Sequence, residues 1–348
     1  MRLAMATDAW HPQVNGVVRS LEATRVELEA LGVAVSMITP LGERTVALPS
    51  YPDIRLSLVA APGMARRLAA IDPDHVHIAT EGPIGFAVRR ACLQQGRTFT
   101  TSFHTRFPEY LAARLPVPPA ATYAALRWFH NAGSGMMVAT DALAQDLGAK
   151  GFRNILRWSR GVDSELYRPR DGSVLDLPRP IFLSVGRVAV EKNLDALLAL
   201  DLPGSTVVVG DGPARASLQA RHPAAIFLGT RTGEDLARIY ASADVFVFPS
   251  RTDTFGIVTL EALASGLPVA AFPVAGPRDV LGDSGAGVLD ADLGIACRQA
   301  LAIPPARARA HALRFSWQAC ARQFLANVET VRDQKRSPTA APLVATAR

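Results

Sequence analysis

The feature that most constrains this chain is an alternation that runs once and then starts again. Short apolar or β-branched runs at 2–7, 34–39, 54–59, 75–80, 98–103 and 136–140 are separated by segments with helical spacing. A polar, proline-rich stretch, RPRDGSVLDLPRP at 168–180, interrupts the pattern. New runs then follow at 180–186, 205–210, 225–229, 244–250 and 268–273, each leading into a helical stretch. Strands that alternate with helices build parallel sheets, and a sheet covered on both faces needs strands that are apolar throughout. The pattern therefore predicts two α/β units, 1–170 and 171–314, and 348 residues exceed what one core serves. Within the first unit, Val18, Leu21, Leu28 and Leu31 fall on one side of a helix closed by Gly32. A last amphipathic helix is expected at about 315–334, with Phe315, Ala319, Phe324 and Val328 on its apolar side, and 335–348 reads as a disordered tail.

No apolar run approaches the ~18 residues that cross a bilayer. The start, MRLAMATDAW, meets Asp8 too soon for the apolar stretch of a secretory signal. The three cysteines, Cys92, Cys297 and Cys320, are far apart and form no C-x-x-C pair, which fits reduced core thiols better than disulfides or zinc. These observations predict a cytoplasmic protein. Five of the six units of net positive charge sit in the first half, where residues 1–170 hold 19 Arg/Lys against 14 Asp/Glu. Such a surplus is a solvated surface or an attraction for anionic lipid. Only three of the cations are lysines: Lys150, Lys192 and Lys335.

Open α/β sheets bind ligands beyond the carboxyl ends of their strands, so the loops there carry the candidates. The first, TDAWHPQVNGVVRS, offers Asn15-Gly16 directly before a helix, where free backbone N–H groups could meet a phosphate. Neither a G-x-G-x-x-G nor a G-x-x-x-x-G-K-[ST] motif is present. The second loop carries Gly186-Arg187 and Glu191-Lys192-Asn193 before a helix near Leu194. Two cations at a helix entrance oppose the helix dipole unless an anion lies between them, and a diphosphate is the candidate anion. Plain solvated surface cations remain an alternative. The third, SRTDTFGIVTLEALASGLP at 250–268, holds Asp253 in a loop and Glu261 on the helix that follows, both able to accept bonds from sugar hydroxyls. Phe255, Gly256, Ile257 and Val258 complete the donor-binding set; a loop acceptor at Asp253 and a solvated Glu261 form the alternative. Asp72-Pro73-Asp74 and Asp290-Ala291-Asp292 have the spacing of a metal-binding D-x-D, but it is common in turns, and no metal is expected. His75 and His77 alternate along a strand as packed or edge residues.

Taken in order, NGV (15–17), SFHTRFPEY (102–110), RWSRGVD (157–163), GRVAVEKN (186–193), VGDGP (209–213) and SRTDTFGIVTLEALASGLPV (250–269) resemble the family-4 retaining glycosyltransferases over residues 1 to about 330. The last segment is similar to that family's E-x7-E signature, with Asp253 in the first position. The resemblance implies a GT-B fold, two Rossmann-like domains facing a cleft, with donor held by the second, acceptor by the first, and the last helix crossing back. It implies a UDP- or GDP-sugar as substrate and no cofactor. By position, Gly16 would lie beside the diphosphate, Arg187 and Lys192 would neutralise it, Glu261 would bind the ribose and Asp253 the transferred sugar. His104 would face the reaction centre. Catalytic roles thus fall to Arg187, Lys192, His104 and Asp253, with the departing phosphate taking the acceptor's proton.

SFHTRFPEY and RWSRGVD are similar to a bacterial branch of glucuronosyl-, sulfoquinovosyl- and mannosyltransferases, several acting on diacylglycerol or related lipids. That implies a hexose or hexuronic acid moved to a lipid hydroxyl, at the inner face of the cytoplasmic membrane. Arg66-Arg67, Arg89-Arg90, Arg114 and Arg127, with Leu115, Tyr123, Leu126, Trp128 and Phe129, would supply the interface. The alternatives are a GDP-mannose-dependent mannosyltransferase with a non-lipid or polysaccharide acceptor, a nucleotide-sugar epimerase, and a non-catalytic binding module. No nucleic-acid partner is expected, and oligomeric state is open.

Overall fold

The computed structural model describes residues 1–13, 15–48, 51–112 and 117–336. Arg114, Leu115 and 337–348 lie outside the described residues. The chain opens with β1 (Arg2–Ala6), α1 (Gly16–Ala30), β2 (Ala34–Ile38), β3 (Thr45–Leu48), β4 (Tyr51–Ser57), α2 (Ala61–Ile71) and β5 (His75–Ile78). It continues through α3 (Pro83–Gln94), β6 (Phe99–Phe103), α4 (Phe107–Ala112), α5 (Pro119–His130), β7 (Gly135–Val138), α6 (Asp141–Ala149) and β8 (Ile155–Arg157). The second half begins with β9 (Ile181–Val185), α7 (Asp195–Leu198), β10 (Ser205–Val209), α8 (Arg215–Arg221), β11 (Ile226–Gly229), α9 (Gly233–Ser242) and β12 (Val245–Phe248). Then come α10 (Ile257–Ala264), β13 (Val269–Ala271), α11 (Ala275–Leu281), β14 (Gly287–Leu289), α12 (Leu293–Ala300), α13 (Pro305–Ala312) and α14 (Trp317–Arg336).

Two separate six-stranded parallel sheets result, ordered β2-β1-β5-β6-β7-β8 and β11-β10-β9-β12-β13-β14. The inner strands are buried along their whole length, as in β5 and β12, which explains why their sequences are apolar or otherwise matched inside the sheet. In the first sheet the strand order reverses between β1 and β5, and in the second between β9 and β12. A crevice opens beyond the carboxyl ends of the strands at each reversal.

Some expectations are corrected. The run at 54–59 pairs antiparallel with β3 in a hairpin outside the main sheet. β8 and β14 have three residues each, half-buried, too short to show a period in sequence. Leu31 is the C-terminal cap of α1 and 36% exposed, so the buried stripe is Val18, Leu21, Thr24 and Leu28. The expected last helix begins at Trp317, after α13 and a short link. Ser316 caps it, its Oγ accepting from Ala319 N at 3.1 Å. Phe315 in the link packs against the second half's core, and Ala319 is exposed. Cys320, Ala321, Phe324 and Val328 carry the apolar face instead and join Leu3, Met5, Leu21, Leu28 and Trp158 in one cluster. The helix that ends the chain's second half is thereby built into the core of the first. Gln323 accepts from Ser159 N at 2.8 Å and Asn327 donates to Arg157 O at 2.7 Å, fixing its register.

Candidate functional site

β9 and β12 end side by side, so the loops after them meet. Asn193, in the left-handed region at φ 54°, donates through Nδ2 to Pro249 O at 3.0 Å. This stitches the single 3-10 turn Val190–Lys192 to the end of β12 and brings Lys192 Nζ to 2.5 Å from Asp253 Oδ1. The helix foreseen near Leu194 is the short α7, and the anion that faces Lys192 is a protein carboxylate. An ammonium has three donors, so it can hold Asp253 and a phosphate oxygen together. Asp253 Oδ2 is buried without a partner among the described residues. Arg187 lies half-buried on the same loop.

The loop from Asp253 is fixed by its apolar neighbour. Phe255 is 5% exposed and packs into the second core, so its side chain anchors the loop and only its backbone remains for a ligand. At Gly256, φ is +85° and an added Cβ would stand 2.8 Å from the Phe248 ring, so only glycine fits this entry to α10. No side chain caps that helix, and its first N–H groups, at Ile257 and Val258, have no intrahelical acceptor. Across the cleft, α1 begins at Gly16, where a Cβ would lie 3.8 Å from Ile257 Cδ1. The amino ends of two helices thus face each other, an arrangement that favours an anion between them. Asn15 Oδ1 accepts from Val17 N and Val18 N at 3.0 Å each, so the first loop offers fewer free N–H groups than its sequence suggests.

His104 follows β6 on the first side of the cleft. Its carbonyl accepts from Thr254 Oγ1 at 2.7 Å, tying it to the residue beside Asp253. Its Nδ1 lies 3.1 Å from Arg160 Nη2, its ring meets Trp158 edge-on at 5.7 Å, and Nε2 is buried without a partner among the described residues. Burial foremost, then the Arg160 charge, hold its pKa well below 6.5, so the imidazole is neutral.

A cavity of about 360 Å³ opens between α1 and α10, lined by Asn15, Arg19, Tyr167, Thr232, Gly233 and Glu261 among others. Glu261 is 3% exposed, which removes the solvated-face alternative. Its Oε1 accepts from Arg19 Nη1 at 2.6 Å and its Oε2 from the Tyr240 hydroxyl at 3.1 Å. Burial pushes the carboxyl above its usual range against the opposing pull of Arg19. Arg19, Arg160, Asn193, Tyr240 and Thr254 are additions to the sequence-derived set. Arg19 sits one turn after Gly16, Arg160 within RWSRGVD, Asn193 within GRVAVEKN and Thr254 beside Asp253, positions that do not by themselves assign a role; Tyr240 carries no such signal.

The expected interface along 115–130 is corrected. Tyr123, Leu126 and Phe129 are at most 7% exposed, in the core, and Arg89 is 6% exposed, donating to Phe129 O and Trp128 O. Trp128 stays 59% exposed, with the Arg89 guanidinium 3.7 Å from its ring centre. Phe86, Arg90 and Leu93 share the outer face of α3, and Phe86 stacks toward Trp128 at 6.3 Å. Arg66 and Arg127 are exposed, while Arg67 reaches Glu43 at 3.4 Å. The two D-x-D segments are structural: Asp72 and Asp74 bind Arg2, and Asp292 caps α12. Among the described residues no group of three or more His, Cys, Asp or Glu could hold a metal, and no helix is long and apolar enough to cross a membrane.

Residues 14–166 match the family model described as Glycosyltransferase Family 4, and residues 179–302 that of Glycosyl transferases group 1. The chain is 34% identical over 315 residues to a GDP-mannose-dependent alpha-mannosyltransferase of Mycobacterium tuberculosis, covering 83% of each. It is 32% identical over 260 residues to a sulfoquinovosyl transferase of Arabidopsis thaliana, covering 69% of this chain and 51% of that one. Among solved structures, the sucrose-phosphate synthase of Thermosynechococcus elongatus superposes with a TM-score of 0.76 at 20% identity, over 95% of this chain and 98% of that one.

Proposed function

Because the chain belongs to glycosyltransferase family 4, we propose that it moves a hexose or hexuronic acid from a UDP- or GDP-sugar to a hydroxyl of diacylglycerol or a related membrane lipid, with retention and without a metal. Its two facing sheets are the GT-B fold, and the chain is a glycosyltransferase that uses a nucleotide sugar. The observation that carries the finer proposal is a pair of buried, unsatisfied atoms on opposite sides of the cleft: Asp253 Oδ2, an acceptor, and His104 Nε2. Buried polar atoms are nearly always bonded, and each one left bare costs about 1–3 kcal/mol. Sugar hydroxyls both donate and accept, so a bound hexose supplies partners to both.

The other groups take their roles from where they stand. The nucleoside enters the cavity, its ribose hydroxyls donating to Glu261. The diphosphate lies between the amino ends of α1 and α10, with Arg187 and Lys192 bearing its charge. The acceptor oxygen attacks the anomeric carbon from the face that the diphosphate leaves. The bond from that carbon to the phosphate oxygen breaks as the new glycosidic bond forms, and the departing phosphate takes the hydroxyl proton. Stabilising the leaving charge is then the protein's main task, and one such preorganised donor is worth about 10²–10³ in kcat.

A lipid acceptor is supported by Phe86, Leu93 and Trp128, exposed together with Arg90 on neighbouring faces of α3 and α5. Apolar side chains flanked by cations suit an anionic bilayer surface. The activity of the Mycobacterium relative favours GDP-mannose as the donor, and a second reading pairs that donor with a non-lipid acceptor. A metal-free panel of UDP- and GDP-sugars, with and without diacylglycerol vesicles and with products read by mass spectrometry, separates them. A new glycolipid bears out the first reading. Transfer only to soluble acceptors rejects the lipid, an isomerised donor identifies an epimerase, and donor binding without any product identifies a binding module.

A further inference from the structure

We propose that Arg160 is a positioning residue that fixes the His104 imidazole in a single tautomer, with its proton on Nε2, and so presents a neutral N–H donor to the transferred sugar. The tautomer assignment rests on geometry alone; the role toward sugar rests on the proposed function.

A guanidinium offers only donors. Arg160 Nη2 lies 3.1 Å from His104 Nδ1, so that nitrogen must present its lone pair and the ring proton must sit on Nε2. The remaining bonds of Arg160 hold it in that pose. Nη1 donates to Trp158 O at 2.7 Å and to Ser159 O at 2.9 Å, and its guanidinium carbon lies 4.3 Å from the centre of the Trp158 ring. Arg160 is 4% exposed, and all these acceptors are uncharged. A buried cation without a carboxylate is a costly way to fill space. Burial pulls its pKa down to about 10, which still leaves it charged at neutral pH.

The surroundings of the imidazole agree. The titratable groups that face it are Arg160, His77 from β5 and His130 from α5. None is an anion that would stabilise an imidazolium. His77 is itself held neutral by burial, its Nε2 bonded to Ser102 Oγ at 2.9 Å and its Nδ1 to Thr100 Oγ1 at 2.9 Å. The bare Nε2–H of His104 therefore points its dipole at a ligand oxygen without placing a further full charge beside an anomeric carbon that becomes positive as its bond breaks. Thr254 Oγ1, bonded to the His104 carbonyl, keeps this donor in register with Asp253.

The test uses the full chain with isotopically labelled histidine. Ring nitrogen and carbon shifts report the tautomer, and the His104 signal is assigned by its loss in His104→Gln. The wild type is expected to carry its proton on Nε2 throughout pH 6–8. Arg160→Met is expected to shift the population toward Nδ1–H and to lower kcat at least about tenfold with little change in donor KM. Arg160→Lys, which keeps a charged donor, is expected to recover part of both. A wild-type proton on Nδ1, an imidazolium at pH 7, or a folded Arg160→Met protein with the wild-type tautomer or the wild-type kcat overturns the proposal. If Arg160→Met does not fold, the wild-type tautomer and Arg160→Lys decide. Absence of glycosyl transfer would reject the proposed function while leaving the tautomer result standing, so the two failures are distinct.

Discussion

Asp253 and Lys192 hold one another at 2.5 Å, yet one oxygen of that carboxylate stays buried and bare. The pair is 15% and 25% exposed, and a partly solvated ion pair of this kind stabilises a fold by about 1 kcal/mol or less. The bare oxygen costs about as much or more. The bare oxygen is the feature that the proposed sugar ligand would satisfy. Asp253→Ala is expected to leave unfolding free energy within about 1 kcal/mol of wild type. It should lower kcat/KM about 10²–10³-fold, as should Lys192→Ala. Urea unfolding and donor kinetics on the same preparations check both numbers; a large stability loss with turnover intact would make the pair structural. Lys192, Asp253, Glu261 and Gly16 were legible in sequence because each sits a fixed step from a strand end or helix start. Arg19 with Glu261, 242 residues apart, and Arg160 with His104, 56 apart, were not, because only the folded chain brings them together.

At the scale of elements, α1 and α10 are joined by an ion pair that lines the candidate donor site. Arg19 projects from α1 to a carboxylate that α10 has buried. Burial raises the Glu261 carboxyl and Arg19 counters it. Removing Arg19 should therefore raise that carboxyl further, so that Glu261 takes up a proton at a higher pH and accepts ribose hydroxyls less well. The sign is fixed: Arg19→Ala should increase donor KM, more at pH 6 than at pH 8, by about tenfold at the lower value. Arg19→Lys should restore most of it. Donor KM measured at both pH values for the three proteins is the check, and a pH-independent change would mean that Arg19 acts through packing. The alternation of strands and helices was readable because a parallel sheet buries both faces and its strands stay apolar. β8 and β14 escaped because three half-buried residues have no period. Of the interface read along 115–130, Tyr123, Leu126 and Phe129 went to the core while Trp128 stayed exposed, because apolar residues of α5 at helical spacing belong first to the core.

The molecule as a whole places three histidines of its first half where protons are unwelcome. Burial above all lowers His75 to about 4, and holds His77 and His104 well below 6.5. In the unfolded chain each titrates near 6.5. Between that value and the folded pKa the unfolded state binds more protons, so stability is fully present above 6.5 and is lost as pH falls through the window. Asp8 and Glu261 act in the opposite sense: burial raises both, so the folded state holds their protons more tightly and their contribution favours folding as pH falls. Three depressed groups against two raised ones leave the histidines in control between pH 6.5 and 5. Each contributes a slope of up to about 1.4 kcal/mol per pH unit. Unfolding free energy from urea titrations at constant salt is therefore expected to fall by more than about 2 kcal/mol between pH 7.5 and 5.5. His77→Gln, which keeps a polar side chain that takes no proton, should flatten that dependence. His104 itself stays neutral in the folded chain, so acid should remove activity in step with unfolding. Turnover that fell with pH while the fold held would place the controlling proton on another group, with Glu261 the first to examine.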